Sequence, residues 1–287
     1  MSKTVIITAA DEAFMPLLRG LLLSLQDLRS PHIRLAVFDL GLSPSSRAWV
    51  ATQVDEIQIP NWNLPIAPDL MAAKPHLRAL TCRPFLPRYF PGYHTYIWLD
   101  ADTWVQNSFA IDWLIDGAAA GALAACPESD RCYRWTDKAD GWRRQRLDAA
   151  FGAASLRFLD KLPYVNAGVF ALRADAMHWA LWSKHYRMAL AYSHGRAVSD
   201  QTALNHALWT ENLPLNPLPA LCNWTIHLGL PSWDKERRRF VEPFIPRREI
   251  GILHLTGDTA KLRLVIPGEP EVTSFANPAI QFEMAGV

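Results

Sequence analysis

The chain has 287 residues, half of them apolar, with 29 basic and 28 acidic side chains. That length suffices for one large core or two small ones, and a charge so close to neutral excludes a general nucleic-acid binder. An apolar run of only a few residues after Met1-Ser2-Lys3 is too short for a signal peptide, and Pro16, Arg19 and Gly20 interrupt the one long apolar stretch that would otherwise suggest a membrane span.

In chain order, residues 4–9 are β-rich. Phe14, Leu17, Leu18, Leu21, Leu25 and Leu28 then recur at helical spacing, with Pro16 suited to a first turn. Residues 33–40 read as a second strand. Ser43-Pro44 reads as an N-cap and first helical position, opening a helix through about residue 54. A short strand at 56–60 ends in proline, a Pro- and Asn-rich loop covers 61–73, and a helical segment spans 74–89. Further strands fall at 96–99, 121–126 and 165–172, helices near 174–192 and 199–209, and an apolar run at 250–255; a basic stretch occupies 131–146. Strands alternating with helices define an α/β fold with a mostly parallel, mixed sheet. No repeat or low-complexity linker divides it, so residues 1–265 are expected to form a single domain and 266–287 an irregular C-terminal tail. Cys82, Cys126, Cys132 and Cys222 lack CxxC spacing and read as free thiols of a cytoplasmic protein, Cys126 and Cys132 being the one pair considered for a bridge.

Tyr-Ile-Trp-Leu-Asp-Ala-Asp at 96–102 carries the most chemistry. A buried strand ends in two carboxylates, Asp100 and Asp102, and charge left at such a place is costly unless paired or bound to metal. In open α/β sheets the crevice beyond the strand ends is where ligands bind. Two carboxylate oxygens suit Mg²⁺ or Mn²⁺, which neutralises phosphate oxygens. A polar turn is the plain alternative. A second apolar strand opens into His254-x-x-Gly257-x-x-Lys261: an imidazole to complete an Asp/Asp/His site, a glycine permitting close approach of phosphate, and a mobile cation. Taken alone, that motif reads equally as a strand-end histidine with an unrelated surface lysine.

Together, Asp100-Ala101-Asp102 and His254-x-x-Gly257-x-x-Lys261 resemble the retaining glycosyltransferases of family 8, of galactosyltransferase and glycogenin type. The resemblance spans roughly residues 4–262 and implies a GT-A fold, a Rossmann-like nucleotide-sugar-binding domain. It implies Asp100, Asp102 and His254 as metal ligands, with Ala101, Gly257 and Lys261 against the donor nucleotide. Thr8-Ala9-Ala10-Asp11-Glu12 resembles the family's nucleoside-gripping segment, in which Ala9 and Asp11 would meet uracil and Phe14 would replace the usual stacking tyrosine. Lys74 and Arg83 resemble basic positions that reach the sugar nucleotide. Asn166-Ala167-Gly168 resembles the strand that contacts the donor sugar, and Asp200-Gln201 the pair at the reacting centre. Ala13 stands where asparagine is frequent, and Leu262-Arg263 where Pro-Trp is frequent.

The implied activity is metal-dependent transfer of a hexose from a nucleotide-diphosphate sugar, a UDP-sugar by resemblance, to a glycan, glycolipid or other hydroxyl acceptor. Retention needs either a covalent intermediate on a carboxylate or attack on the face of departure. Gln201 is a weak nucleophile, which favours the second route, and Asp200 and Glu128 are candidates to bind sugar hydroxyls; helix-terminal and exposed-loop roles are their plain alternatives. Twelve tryptophans could stack on sugars or simply pack in the core. Lys235, Arg237, Arg238 and Arg239, with Arg143, Arg144 and Arg146, suit a peripheral contact with the inner membrane surface or merely a solvated face. Three rival readings stand beside the transferase. A haloacid-dehalogenase-like phosphatase would use Asp100 as nucleophile and Asp102 as acid/base, but that motif normally opens its domain. A sugar nucleotidyltransferase usually begins with a glycine-rich loop, which 8–14 lacks. A non-catalytic carbohydrate-binding protein has little use for metal ligands.

Overall fold

Alternation with period two builds the core. The computed structural model describes residues 3–28, 31–134, 137–256 and the antiparallel strand pair at 263–265 and 272–274. Its elements are, in order, β1 (Thr4–Ala10), α1 (Met15–Ser24), β2 (Ile33–Asp39), α2 (Pro44–Gln53), β3 (Glu56–Gln58), α3 (Pro68–Ala73), α4 (Arg78–Cys82), α5 (Leu86–Tyr89), β4 (Thr95–Leu99) and β5 (Thr103–Val105). There follow α6 (Phe109–Ala118), β6 (Leu123–Pro127), α7 (Asp137–Leu159), β7 (Val165–Arg173), α8 (His178–Tyr192), α9 (Asp200–Thr210), β8 (Leu215–Pro217), β9 (Trp224–Thr225), β10 (Ser232–Asp234), β11 (Arg239–Val241) and β12 (Ile252–His254).

Among the described residues, seven strands form one sheet in the order β3-β2-β1-β4-β7-β6-β8. Within it β7 runs antiparallel to both of its neighbours, and the remaining pairs are parallel. Both faces are covered. Val5, Ile7, Phe38, Trp98 and Phe170 meet Trp182, Tyr186 and Leu204 of α8 and α9 on one side. Ile6, Val37, Ile97, Leu99 and Val169 meet Leu18, Leu21, Val50 and Leu114 of α1, α2 and α6 on the other. A third cluster, with Trp104, Trp224, Phe240 and Leu253 fully or almost fully buried, lies under the smaller sheet β5-β12-β9.

The mostly parallel mixed sheet agrees with the sequence. Ser43 caps α2 by accepting from the Ser46 N–H at 3.2 Å, with Pro44 in the first turn. All four cysteines are buried free thiols. Four expectations on elements change. The loop expected at 61–73 gives way to α3 over Pro68–Ala73, with Pro68 in its first turn. Residues 74–89 form two short α-helices joined by 3₁₀ turns, because Pro75, Pro84 and Pro87 each remove an N–H donor. The basic stretch at 131–146 runs into α7, whose two helical segments meet at Gly152 with φ 78°. The strand before His254 joins the small sheet rather than the large one. Among the described residues no helix is long and apolar enough to cross a membrane.

Candidate active site

The reversal of β7 gathers the site. The carboxyl ends of β1, β4 and β6 share one sheet edge, and β7, running backwards, brings its amino end to the same edge. Asp100 follows β4, Glu128 follows β6, and Asn166, Ala167 and Gly168 open β7. The Asp100 N–H donates to Gly168 O at 2.8 Å, which locks the two segments side by side.

After β4 the chain turns sharply: Thr103 N–H and Oγ1 both donate to Asp100 O, at 2.9 and 2.7 Å, so Asp100 and Asp102 stand on one tight turn. The same turn begins β5, which pairs antiparallel with β12 and sets Thr103 opposite His254. Leu255 N–H donates to Asp102 O at 2.8 Å. Thus a ladder of a few residues carries the imidazole to carboxylates about 150 positions earlier.

His254 Nε2 lies 3.3 Å from Asp102 Oδ1 and 3.7 Å from Asp100 Oδ2. Around a small divalent cation, ligands ~2.1 Å from the ion sit about 3 Å apart, so two oxygens and one nitrogen at this spacing fit such an ion. Gly168 clears the space: a Cβ there would lie 2.3 Å from His254 Cε1 and 2.6 Å from Asp100 Oδ2. Burial opposes ionisation of Asp102, yet the charge and hydrogen bond of His254 hold its carboxyl below the usual range. Burial likewise opposes charging of His254, but Asp102 outweighs it and lifts the imidazole above its ordinary value. Asp100 is pushed up by burial against the pull of Arg83.

Arg83 is itself buried and divides its guanidinium between two acids. Nη2 donates to Asp100 Oδ1, and Nη1 to Asp200 Oδ2 at 2.6 Å and to Ala167 O at 3.1 Å. The guanidinium carbon stands 4.5 Å from the centroid of the Trp98 ring, and Trp98 Nε1–H adds a 2.8 Å bond to Asp100 Oδ1. One Asp100 oxygen is therefore tied down, and the other faces His254.

Beside this group runs a wall of amides. Asn166 Nδ2 and Gln201 Nε2 donate to Glu128 Oε1 at 2.7 and 3.0 Å, and Gln201 Oε1 accepts the Ala167 N–H at 3.1 Å. Burial raises the Glu128 carboxyl above its ordinary range despite those two donors. Ser199 caps α9, so Asp200 and Gln201 occupy its first turn. Asn223, which the sequence reading passes over, accepts from His254 Nδ1 at 2.8 Å and donates to Asn166 Oδ1 at 2.9 Å. Nothing in the sequence marks it. Trp98 carries a signal, since alternation puts it on the face of Asp100.

Asp100, Asp102, His254, Arg83, Asn166, Ala167, Glu128, Asp200 and Gln201 thus come together, with Ala101 buried in the turn. Ala9 is buried near the end of β1, Asp11 caps a 3₁₀ turn by accepting from the Phe14 N–H at 3.1 Å, and Phe14 is exposed. Lys74 is exposed after α3. Gly257 and Lys261 lie outside the described residues, as do most of 266–287. Arg143 and Arg144 both bond Asp160, and Arg146 stacks on Trp142, so these three cations have partners inside the chain.

A seven-stranded mixed sheet with an Asp/Asp/His cluster and an amide wall at one edge defines a GT-A glycosyltransferase. The family model described as glycosyl transferase family 8 matches residues 6–259, and the chain belongs to that family. Similar solved structures include the galactosyltransferase LgtC in complex with donor and acceptor sugar analogues, 20% identical over 98% of this chain and 95% of that one, TM-score 0.56. Mouse xyloside xylosyltransferase 1 is 13% identical over 90% and 98% of the two chains, TM-score 0.52. GlyE of Streptococcus pneumoniae is 15% identical over 100% of this chain and 61% of its own, TM-score 0.52. No curated protein sequence matches the chain.

Proposed function

We propose that this glycosyltransferase moves a hexose from a UDP-sugar to a hydroxyl acceptor on a glycan or glycolipid, with retention and with Mn²⁺ (or Mg²⁺) as cofactor. The observation that carries the proposal is the Asp100–Asp102–His254 cluster beside the Asn166–Glu128–Gln201 wall, in a chain of this family. Asp100 Oδ2, Asp102 Oδ1 and His254 Nε2 would hold the ion, which when bound stabilises negative charge on a diphosphate leaving group. Gly257 and Lys261 would approach the same phosphates, Lys74 the sugar nucleotide, and Ala9, Asp11 and Phe14 the base.

Asn166 and Glu128 line the space beside the metal group and would orient sugar hydroxyls. Arg83 holds Asp100 and Asp200 in place from beneath. Gln201 has its amide oxygen on the Ala167 N–H and its amide nitrogen on Glu128, so it is poorly placed to act as a nucleophile. This favours attack on the face of departure: the acceptor oxygen bonds the anomeric carbon, the bond to the β-phosphate oxygen breaks, and the hydroxyl proton passes to that phosphate. The phosphatase alternative needs Asp100 as a free nucleophile, whereas one of its oxygens is bound by Arg83 and Trp98 and the other faces His254. We place the enzyme in the cytoplasm, with peripheral contact at the inner membrane surface through the basic cluster Lys235, Arg237, Arg238 and Arg239.

Hydrolysis of a panel of nucleotide sugars, with and without Mn²⁺, tests the proposal. The expected result is Mn²⁺-dependent release of UDP from one donor class; metal-independent turnover or no preference among donors overturns it. Asp102→Ala should fold and lose Mn²⁺ affinity, and unchanged affinity would remove Asp102 from the coordination shell.

A further inference from the structure

We infer that Asn223 is a positioning residue that fixes a proton on His254 Nδ1, which leaves Nε2, the nitrogen that faces Asp100 and Asp102, as the one able to bind an ion, and that Asn223 ties this setting to the neighbouring amides. The inference rests on reading Asp100, Asp102 and His254 as a metal site.

The polarity of the relay follows from backbone groups that can only donate. The Gly168 N–H donates to Asn166 Oδ1 at 2.8 Å, which identifies that atom as the amide oxygen. Asn223 meets the same oxygen at 2.9 Å and must do so with its NH₂. The other end of the Asn223 amide, its oxygen, then faces His254 Nδ1 at 2.8 Å and can only accept. Nδ1 therefore carries the proton, and Nε2 is left for the ion. Flipping Asn223 would set two oxygens against each other at Asn166, whose oxygen the Gly168 N–H fixes in place. Asn223 is 1% exposed and Asn166 5%, so no solvent relieves that clash. On its far side Asn166 spends its own NH₂ on Glu128 Oε1, which Gln201 also bonds, and Gln201 is anchored by the Ala167 N–H. Two consecutive N–H groups of β7 thus dictate every amide orientation from the sugar-facing wall to the metal ligand.

The test reads the ring directly. In full-length protein carrying ¹⁵N-labelled histidine, with His254 assigned by His254→Gln, metal-free wild type should show a protonated, slowly exchanging Nδ1. Asn223→Leu should lose that protected proton and bind Mn²⁺ about 10- to 100-fold more weakly by calorimetry, the usual range for loss of an outer-shell partner. Asn223→Asp keeps an acceptor for Nδ1–H but no donor for Asn166; it should retain Mn²⁺ affinity and lose turnover. An unprotonated Nδ1 in the wild type overturns the inference, as does a folded Asn223→Leu with wild-type Mn²⁺ affinity. If Asn223→Leu does not fold, the wild-type ring spectrum and Asn223→Asp decide. Failure of the wild type to bind Mn²⁺ would instead overturn the metal reading, with the Nδ1 proton still reporting on the relay.

Discussion

At the residue scale, Arg83 shows how much of the site is electrostatic support. It forms ion pairs with both Asp100 and Asp200, and in the second of these both side chains are buried. Removing one member of a buried ion pair costs about 3–5 kcal/mol, because the remaining charge has nowhere to go. Arg83→Leu should lower stability by that order at pH 7.5 in urea unfolding. The deficit should shrink at pH 5, since the unpaired carboxyls then take up protons in the native state and lose their uncompensated charge. Gly168→Ala tests space rather than charge: with Cβ 2.3 Å from His254 Cε1, the ligands must part, and Mn²⁺ affinity should fall about tenfold or more by titration. The grouping of Asp100, Asp102 and His254 was legible in sequence because apolar strands ending in acid or imidazole are unusual. Asn223 was not, because its importance comes from two hydrogen bonds to residues 57 and 31 positions away.

At the element scale, α8 and α9 are joined by a buried relay the sequence gives no hint of. His185 Nε2–H donates to Glu211 at 2.8 Å, His206 and His185 share a 2.7 Å bond between their Nδ1 atoms, and His206 stacks on Phe151 of α7 at 3.7 Å. Burial first, then the neighbouring His185, pushes the His206 pKa down to about 4 from 6.5. The unfolded chain therefore takes a proton that the native state refuses. Stability that is complete above pH 6.5 is lost as the pH falls toward 4, by up to about 3 kcal/mol. Urea unfolding at stepped pH should show this slope, and His206→Gln should flatten it. Elements with a clean local signal, such as the β-rich run of β1 and the Ser43-Pro44 cap of α2, were readable. The helix α6 was not, because Phe109, Ile111, Trp113, Leu114 and Ile115 are apolar nearly all round, with Trp113 left 42% exposed. In α7 the basic composition and the break at Gly152 erase any single apolar stripe.

At the scale of the whole molecule, strand alternation announced a covered α/β sheet, but nothing in the sequence of β7 announced its direction. A strand buried on both faces reads the same forwards and backwards. That direction is nonetheless what brings Asn166 to Asp100. If the ion binds only the native site, Mn²⁺ at a hundredfold excess over its dissociation constant should add about 2.7 kcal/mol of stability. For a domain of this size that corresponds to a rise of roughly 4–5 °C in Tm, absent in Asp102→Ala; a calorimetric scan with and without the ion checks it.

The short ladder between β5 and β12 also sets a timetable. His254 lies 152 positions after Asp102, so a ribosome adding about 5–20 residues per second delivers the imidazole about 8–30 s after the carboxylates. Throughout that interval the sheet can assemble around Asp100 and Arg83, while the third ligand does not yet exist. An ion held by all three groups would consequently have to wait, during synthesis, for the segment that carries His254.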